Sequence, residues 1–179
     1  TEIGPSAFHC CESLQEVHLS HPSCLTHLED YSFQGCAKLQ KVCLPDSRQE
    51  IGGAAFRDCK AIVEINLPRS LDFIGQESFA NCKGLSLVQL GSSHLLSSHI
   101  MRNNVFLGCE SLTSLEFPAN EPIPLMLWPK LLSNCLSSRG TLSRLGVPKR
   151  SDCVFSFLKE HAGDLKVNRT LRRKRSAMA

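Results

Sequence analysis

Cysteine and histidine carry most of the latent chemistry of this chain, with ten of the first and seven of the second in 179 residues. A thiol beside an imidazole is the elementary pair of a cysteine hydrolase, because the ring can take the thiol proton and leave a nucleophilic thiolate. His9 next to Cys10 and Cys11 is the one close pair. The other histidines (18, 21, 27, 94, 99 and 161) recur at no fixed phase, and no nucleophile motif with a defined turn accompanies them. A metal centre needs ligands that converge, such as two cysteine pairs at short spacing. His18, His21, Cys24 and His27 form a three-residue spaced run that could hold zinc or copper, although a polar turn between two strands would read the same way. Ten cysteines would also suit a disulfide framework.

The spacing of the cysteines decides between these chemistries. Cys11, Cys36, Cys59, Cys82, Cys109 and Cys135 each stand three residues after a phenylalanine or its replacement. A residue locked to a repeat in this way belongs to the core, where free cysteine behaves as a small apolar side chain. Neighbouring strands run about 4.8 Å apart with equivalent side chains parallel. A disulfide wants Cβ atoms about 3.5–4.5 Å apart and converging. Bridging along such a ladder is therefore disfavoured, and the cysteine count does not report a redox compartment. Cys10, Cys24, Cys43 and Cys153 fall outside the ladder. The pattern assigns no catalytic residue, no metal ligand and no cofactor.

The elements that position these residues are copies of one unit. It runs Phe-x-x-Cys-x-x-Leu-x-x-Val-x-Leu, often closed by proline, and begins at Phe8, Phe33, Phe56, Phe79 and Phe106. A worn sixth copy extends from Leu132 and Cys135 to Leu142, Leu145, Val147 and Pro148. A fixed period of this length predicts a solenoid, since one unit cannot bury its apolar face and must stack on a copy of itself. The Leu-x-x-Val-x-Leu half has the alternation of a strand, and proline stops it. Stacked copies predict a parallel sheet with one strand per coil, in which Leu14, Val17 and Leu19 and their equivalents face inward. The segment from Pro68 to Gly75 returns the chain across the other side, with glycine permitting a turn. Ile3-Gly4 occupies the slot of Ile51-Gly52 and Ile74-Gly75, so the chain opens in mid-phase, which predicts further coils upstream.

Ile51-Gly52-x-x-Ala55-Phe56-x-x-Cys59, with Ile65-x-Leu67-Pro68-x-Ser70-Leu71-x-x-Ile74-Gly75, resembles the BspA-type leucine-rich repeats. The resemblance covers residues 1–148 and is closest in the third and fourth units. It implies a mainly β, leucine-rich-repeat-like solenoid with short irregular or helical turns. It also implies adhesion or protein–protein contact without chemistry of its own, as on the surfaces of bacterial and protist cells. Three stretches depart from the pattern. Residues 91–105 lengthen one coil, Glu121 to Pro129 lengthens the next, and Ser137-Ser138-Arg139-Gly140 interrupts the sixth.

The expected organisation is thus a solenoid over 1–148, a helical cap over 149–165 and a disordered basic tail over 166–179. Asp152 can cap the helix and Gly163 can stop it, with Val154, Phe157, Leu158 and His161 on one face. All 17 acidic residues precede Lys166 while six of the 20 basic residues follow from it onward, so a near-neutral body of net −3 carries a cationic tail. Arg172-Arg173-Lys174-Arg175 in that tail suits nuclear import, nucleic acid or a processing protease, and supports a second reading as an intracellular scaffold. Asn168-Arg169-Thr170 is a glycosylation acceptor if the chain is exported. No apolar run approaches the ~18 residues of a membrane span. A protein partner is expected on the outward strand face, at Glu16, His18, Lys41, Glu64, Asn66, Gln89, Glu116 and Arg144. Trp128, in the proline-rich loop at 119–130, is a competing contact or a lid over the widened coil, and the loop at 91–105 would add further contacts.

Overall fold

The first four coils each run through two short strands joined by a tight turn, and their apolar side chains meet inside. The computed structural model describes residues 2–19, 25–47, 49–97 and 99–118, and the backbone of a strand at 144–146. Cys24, Trp128, Cys135, Cys153, the loop at 119–130, the helix expected over 149–165 and the tail with Arg172 to Arg175 lie outside the described residues.

The Leu-x-x-Val-x-Leu halves form β2 (Glu16–His18), β4 (Lys41–Cys43), β6 (Glu64–Leu67), β8 (Leu87–Leu90), β9 (Ser114–Glu116) and β10 (Arg144–Gly146). All their pairings are parallel: β2 with β4, and β6, β8, β9 and β10 in one sheet. Val42, Ile65, Val88 and Leu115 point inward as their phase predicts, and are buried.

The return leg is the first departure from expectation. It also pairs, as β1 (Glu2–Ile3), β3 (His27–Leu28), β5 (Gln49–Ile51) and β7 (Leu71–Ile74), in a second parallel sheet. The first four coils therefore carry two strands each rather than one, and the fifth adds a single parallel bridge, Ile74 with Met101. The reason is backbone accounting: a leg enclosed between equivalent legs must satisfy its N–H and C=O groups on its neighbours. Gly75 serves this approach rather than a turn, because a Cβ there would lie 2.4 Å from the Gly53 nitrogen.

The turn is built from left-handed residues at two phases. Ser6, Tyr31, Ala54, Glu77 and Asn104 stand two before the phenylalanine, and Cys10, Gly35, Asp58, Asn81 and Gly108 two after it, all with positive φ. This alternation aims every second N–H along the solenoid axis. Phe8, Phe33, Phe56 and Phe79 donate to Ser32, Ala55, Ser78 and Val105 of the following coil, and the residues two before and two after do the same. The intervening N–H groups close the turn on itself, as His9 to Ser6 and Cys11 to Phe8. Unlike the sheets, where peptide dipoles alternate, this ladder runs in one direction.

Two columns of the core run along that axis, enclosed by the buried Leu, Ile and Val side chains of the two sheets. The phenylalanine rings stack face to face, with centroids 5.0, 5.3, 5.2 and 5.9 Å apart from Phe8 to Phe106. Beside them run the cysteines, and here the thiol does more than fill space. Cys36, Cys59, Cys82 and Cys109 each donate to the carbonyl of the phenylalanine in the preceding coil, at 3.1–3.2 Å. Residues 91–105 also supply side chains to the core, while His94, His99, Arg102 and Asn103 stay exposed. A 3-10 helix, η1 (Ser93–Leu96), is capped by the Ser92 side chain and buries Leu95 and Leu96, while Met101 and Val105 complete the coil.

Candidate interaction surface

Strand alternation sends every second side chain of the larger face outward, and register aligns these in rows across the coils. One row holds Glu16 opposite Lys41, then Glu64, Leu87 and Ser114, with the backbone of Arg144 next in line. The second holds His18 opposite Cys43, then Asn66, Gln89 and Glu116. The structure thus brings Glu64, Asn66, Gln89 and Glu116 onto one continuous sheet, and Glu16, His18 and Lys41 onto the β2–β4 pair. A leading row of Gln15, Gln40, Val63, Ser86 and Thr113 borders them. In it the Ser86 hydroxyl donates to the Val63 carbonyl at 3.2 Å and the Thr113 hydroxyl to the Ser86 carbonyl at 3.4 Å.

Two carboxylates of this face, Glu16 and Glu116, are committed to neighbours. Glu16 meets the His18 ring at 3.0 Å, and that hydrogen bond, aided by Lys41, holds its carboxyl below the usual glutamate range. The Gln89 amide donates to Glu116 at 3.0 Å. Two apolar residues interrupt the polar pattern: Val63, exposed, and Leu87, half-buried. Neither is among the outward positions expected from the sequence to meet a partner, which are all polar. Their signal was apolar character at a strand phase that faces water.

The second sheet presents another surface, which the expectation of one strand per coil left out. Glu2, His27, Glu50 and Phe73 align there in register, His27 lies 3.8 Å from Glu50, and the Arg102 guanidinium stands over the Phe73 ring at 5.3 Å. His18 and His27 therefore sit on different sheets, and the spaced histidine run does not converge through these two members. No group of three or more metal-ligating side chains occurs among the described residues.

The thiols divide by depth. Cys10 is exposed, with its sulfur 3.8 Å from the His9 ring. Cys11 and Cys43 are half-buried, and Cys36, Cys59, Cys82 and Cys109 are buried. All seven are free. Burial pushes the Cys36, Cys59 and Cys82 thiols up, and the Cys109 thiol up to about 12. A buried neutral thiol that already donates to a carbonyl is a poor nucleophile, so the ladder is structural. Among the described residues, no helix is long and apolar enough to cross a membrane.

The repeat matches a BspA type leucine rich repeat region in six copies over residues 1–124. A leucine-rich repeat protein from T. pallidum, known from its crystal structure, is similar at 31% identity with a TM-score of 0.61. The match covers 83% of this chain and 64% of that protein, so this chain spans less than two thirds of its length. A leucine-rich repeat protein from Bacteroides ovatus is similar at 28% identity and a TM-score of 0.45, over 68% of this chain and 36% of that one. Among curated proteins nothing matches.

Proposed function

The chain belongs to the BspA-type leucine-rich repeat family, and from that premise we propose that it is a non-catalytic protein-binding module of the adhesion type. The outward face of β2, β4, β6, β8 and β9 receives the partner. The observation that carries this reading is the face itself: aligned rows of polar side chains with exposed Val63 and half-buried Leu87 among them, on a frame of stacked coils. Solenoids use such extended surfaces for recognition. Apolar residues rimmed by polar ones mark protein contact sites.

A photo-crosslinking amino acid tests the assignment when placed at Gln89 on this face and, in a separate variant, at Asp72 on the second sheet. Saturable labelling of a discrete partner from Gln89, competed by unlabelled protein and absent from Asp72, is the expected outcome. Equal labelling from both positions would remove the face from consideration. Hydrolysis of an ester or peptide by the purified protein, lost on Cys10→Ser, would overturn the non-catalytic reading.

A further inference from the structure

We propose that Val63, Glu64 and Leu87 form the seat for an arginine side chain of the protein partner; the proposal rests on the interaction reading above and names the chemistry at its centre. Val63 is 54% exposed. It lies in the third coil, with the Phe33 and Phe79 coils on either side, so its exposure is not that of a solenoid end. Leu87 follows it in the next coil, tied on by the Ser86 and Leu87 N–H groups, which both donate to the Val63 carbonyl at 2.8 and 3.3 Å. Glu64 is the direct register partner of Leu87. An aliphatic ledge and a carboxylate thus stand one strand spacing apart.

The charge of the face selects a cation. Among the described outward side chains are three carboxylates, Glu16, Glu64 and Glu116, and one ammonium, that of Lys41. His18 occupies Glu16, and Gln89 occupies Glu116. Glu64 differs from both: its carboxylate makes no hydrogen bond or ion pair among the described residues. Of the two common cations, arginine fits better. Its methylene stem can lie along Val63 and Leu87 while the planar fork meets the carboxylate with two N–H groups. Guanidinium is also the more weakly hydrated ion, which suits a contact that covers an apolar ledge.

The probe is an acetylated pentapeptide amide with arginine between two leucines, compared with peptides carrying lysine or the neutral isostere citrulline at the centre. It is titrated into the full chain while backbone amide shifts are followed. Saturable shifts centred on Val63, Glu64 and Leu87 are expected. Binding should weaken by about fivefold or more with citrulline, and equally in Glu64→Gln, on the scale of one desolvated charge pair. Val63→Ser should weaken it through the stem, with the arginine preference retained. Because Val63 and Glu64 are exposed, both variants should keep the parent circular dichroism spectrum. Shifts centred elsewhere, equal affinity for citrulline, undiminished binding to Glu64→Gln, or no saturable binding would each overturn the arginine seat. If Gln89 still crosslinks a partner in that event, the interaction surface stands and only its proposed chemistry falls.

Discussion

Replacing Phe79 with alanine, and separately Phe8, tests the ring column quantitatively. Phe79 is completely buried, and its ring lies between Phe56 at 5.2 Å and Phe106 at 5.9 Å. Full burial of such a side chain contributes about 1.5–3 kcal/mol. Each stacked neighbour adds roughly 0.5–1.5 kcal/mol. Phe79→Ala should therefore cost about 3–5 kcal/mol, which agrees with the range for truncating buried aromatics. Phe8 occupies the same phase but is 40% exposed and, among the described residues, stacks on the single ring of Phe33 at 5.0 Å. Scaling its burial and counting one stacked partner gives about 2 kcal/mol for Phe8→Ala. Urea unfolding followed by circular dichroism measures both, with the slope checked for constancy so that midpoints convert to free energies. Equal costs at the two positions would show that the rings do not act as a stack. A loss below about 1 kcal/mol for Phe79→Ala would refute the core assignment altogether.

Three further outcomes are expected. Burial raises the Cys109 thiol to about 12, so the folded state holds it neutral where the unfolded chain ionises. The associated stability is fully present below the ordinary thiol range near 8.5 and falls as pH rises toward 12, by about 1.4 kcal/mol per pH unit. Urea midpoints between pH 8 and 10 should thus fall more gently for Cys109→Ala than for the parent, and parallel slopes would contradict the burial. Gly75→Ala drives a Cβ to 2.4 Å from the Gly53 nitrogen, whereas Gly4→Ala meets nothing within 4 Å. The first should cost about 1–3 kcal/mol and the second under about 1 kcal/mol in the same melts, and a reversed order would deny the close approach of the coils. Tyr31 is exposed in a left-handed conformation with φ of 60°. Tyr31→Gly should therefore raise stability by about 0.5–1 kcal/mol, and a lowered melting temperature would show that its ring contributes packing.

Much of the core was legible because burial and phase coincide in a repeat. Phe56, Cys59, Ile62, Ile65 and Leu67 could be placed inside from spacing alone, and all are buried. The return leg was harder to read. Its described strands are two to four residues long, and segments as short as Glu2–Ile3 and His27–Leu28 hold too few residues to show a period. The left-handed positions were hidden for another reason. Ser6, Tyr31, Ala54, Glu77 and Asn104 share no side-chain property, since the one-directional hydrogen-bond ladder imposes their conformation. At the candidate surface, register from the repeat located the outward rows. The commitments of Glu16 and Glu116, and the lack of a partner for the Glu64 carboxylate among the described residues, depend on side-chain positions that no spacing reveals.

The sequence by itself determined the coil, its period and the set of side chains that fill it, because a repeated apolar pattern can be satisfied only by stacking. What the cysteine does was decided by tertiary structure. By phase it is a small buried residue, and only the preceding coil supplies the phenylalanine carbonyl to which its thiol donates. The second sheet, the one-directional turn ladder and the exposure of Val63 beside Leu87 arise in the same way. Each is a relation between neighbouring coils, and so exists only once the chain has wound onto itself.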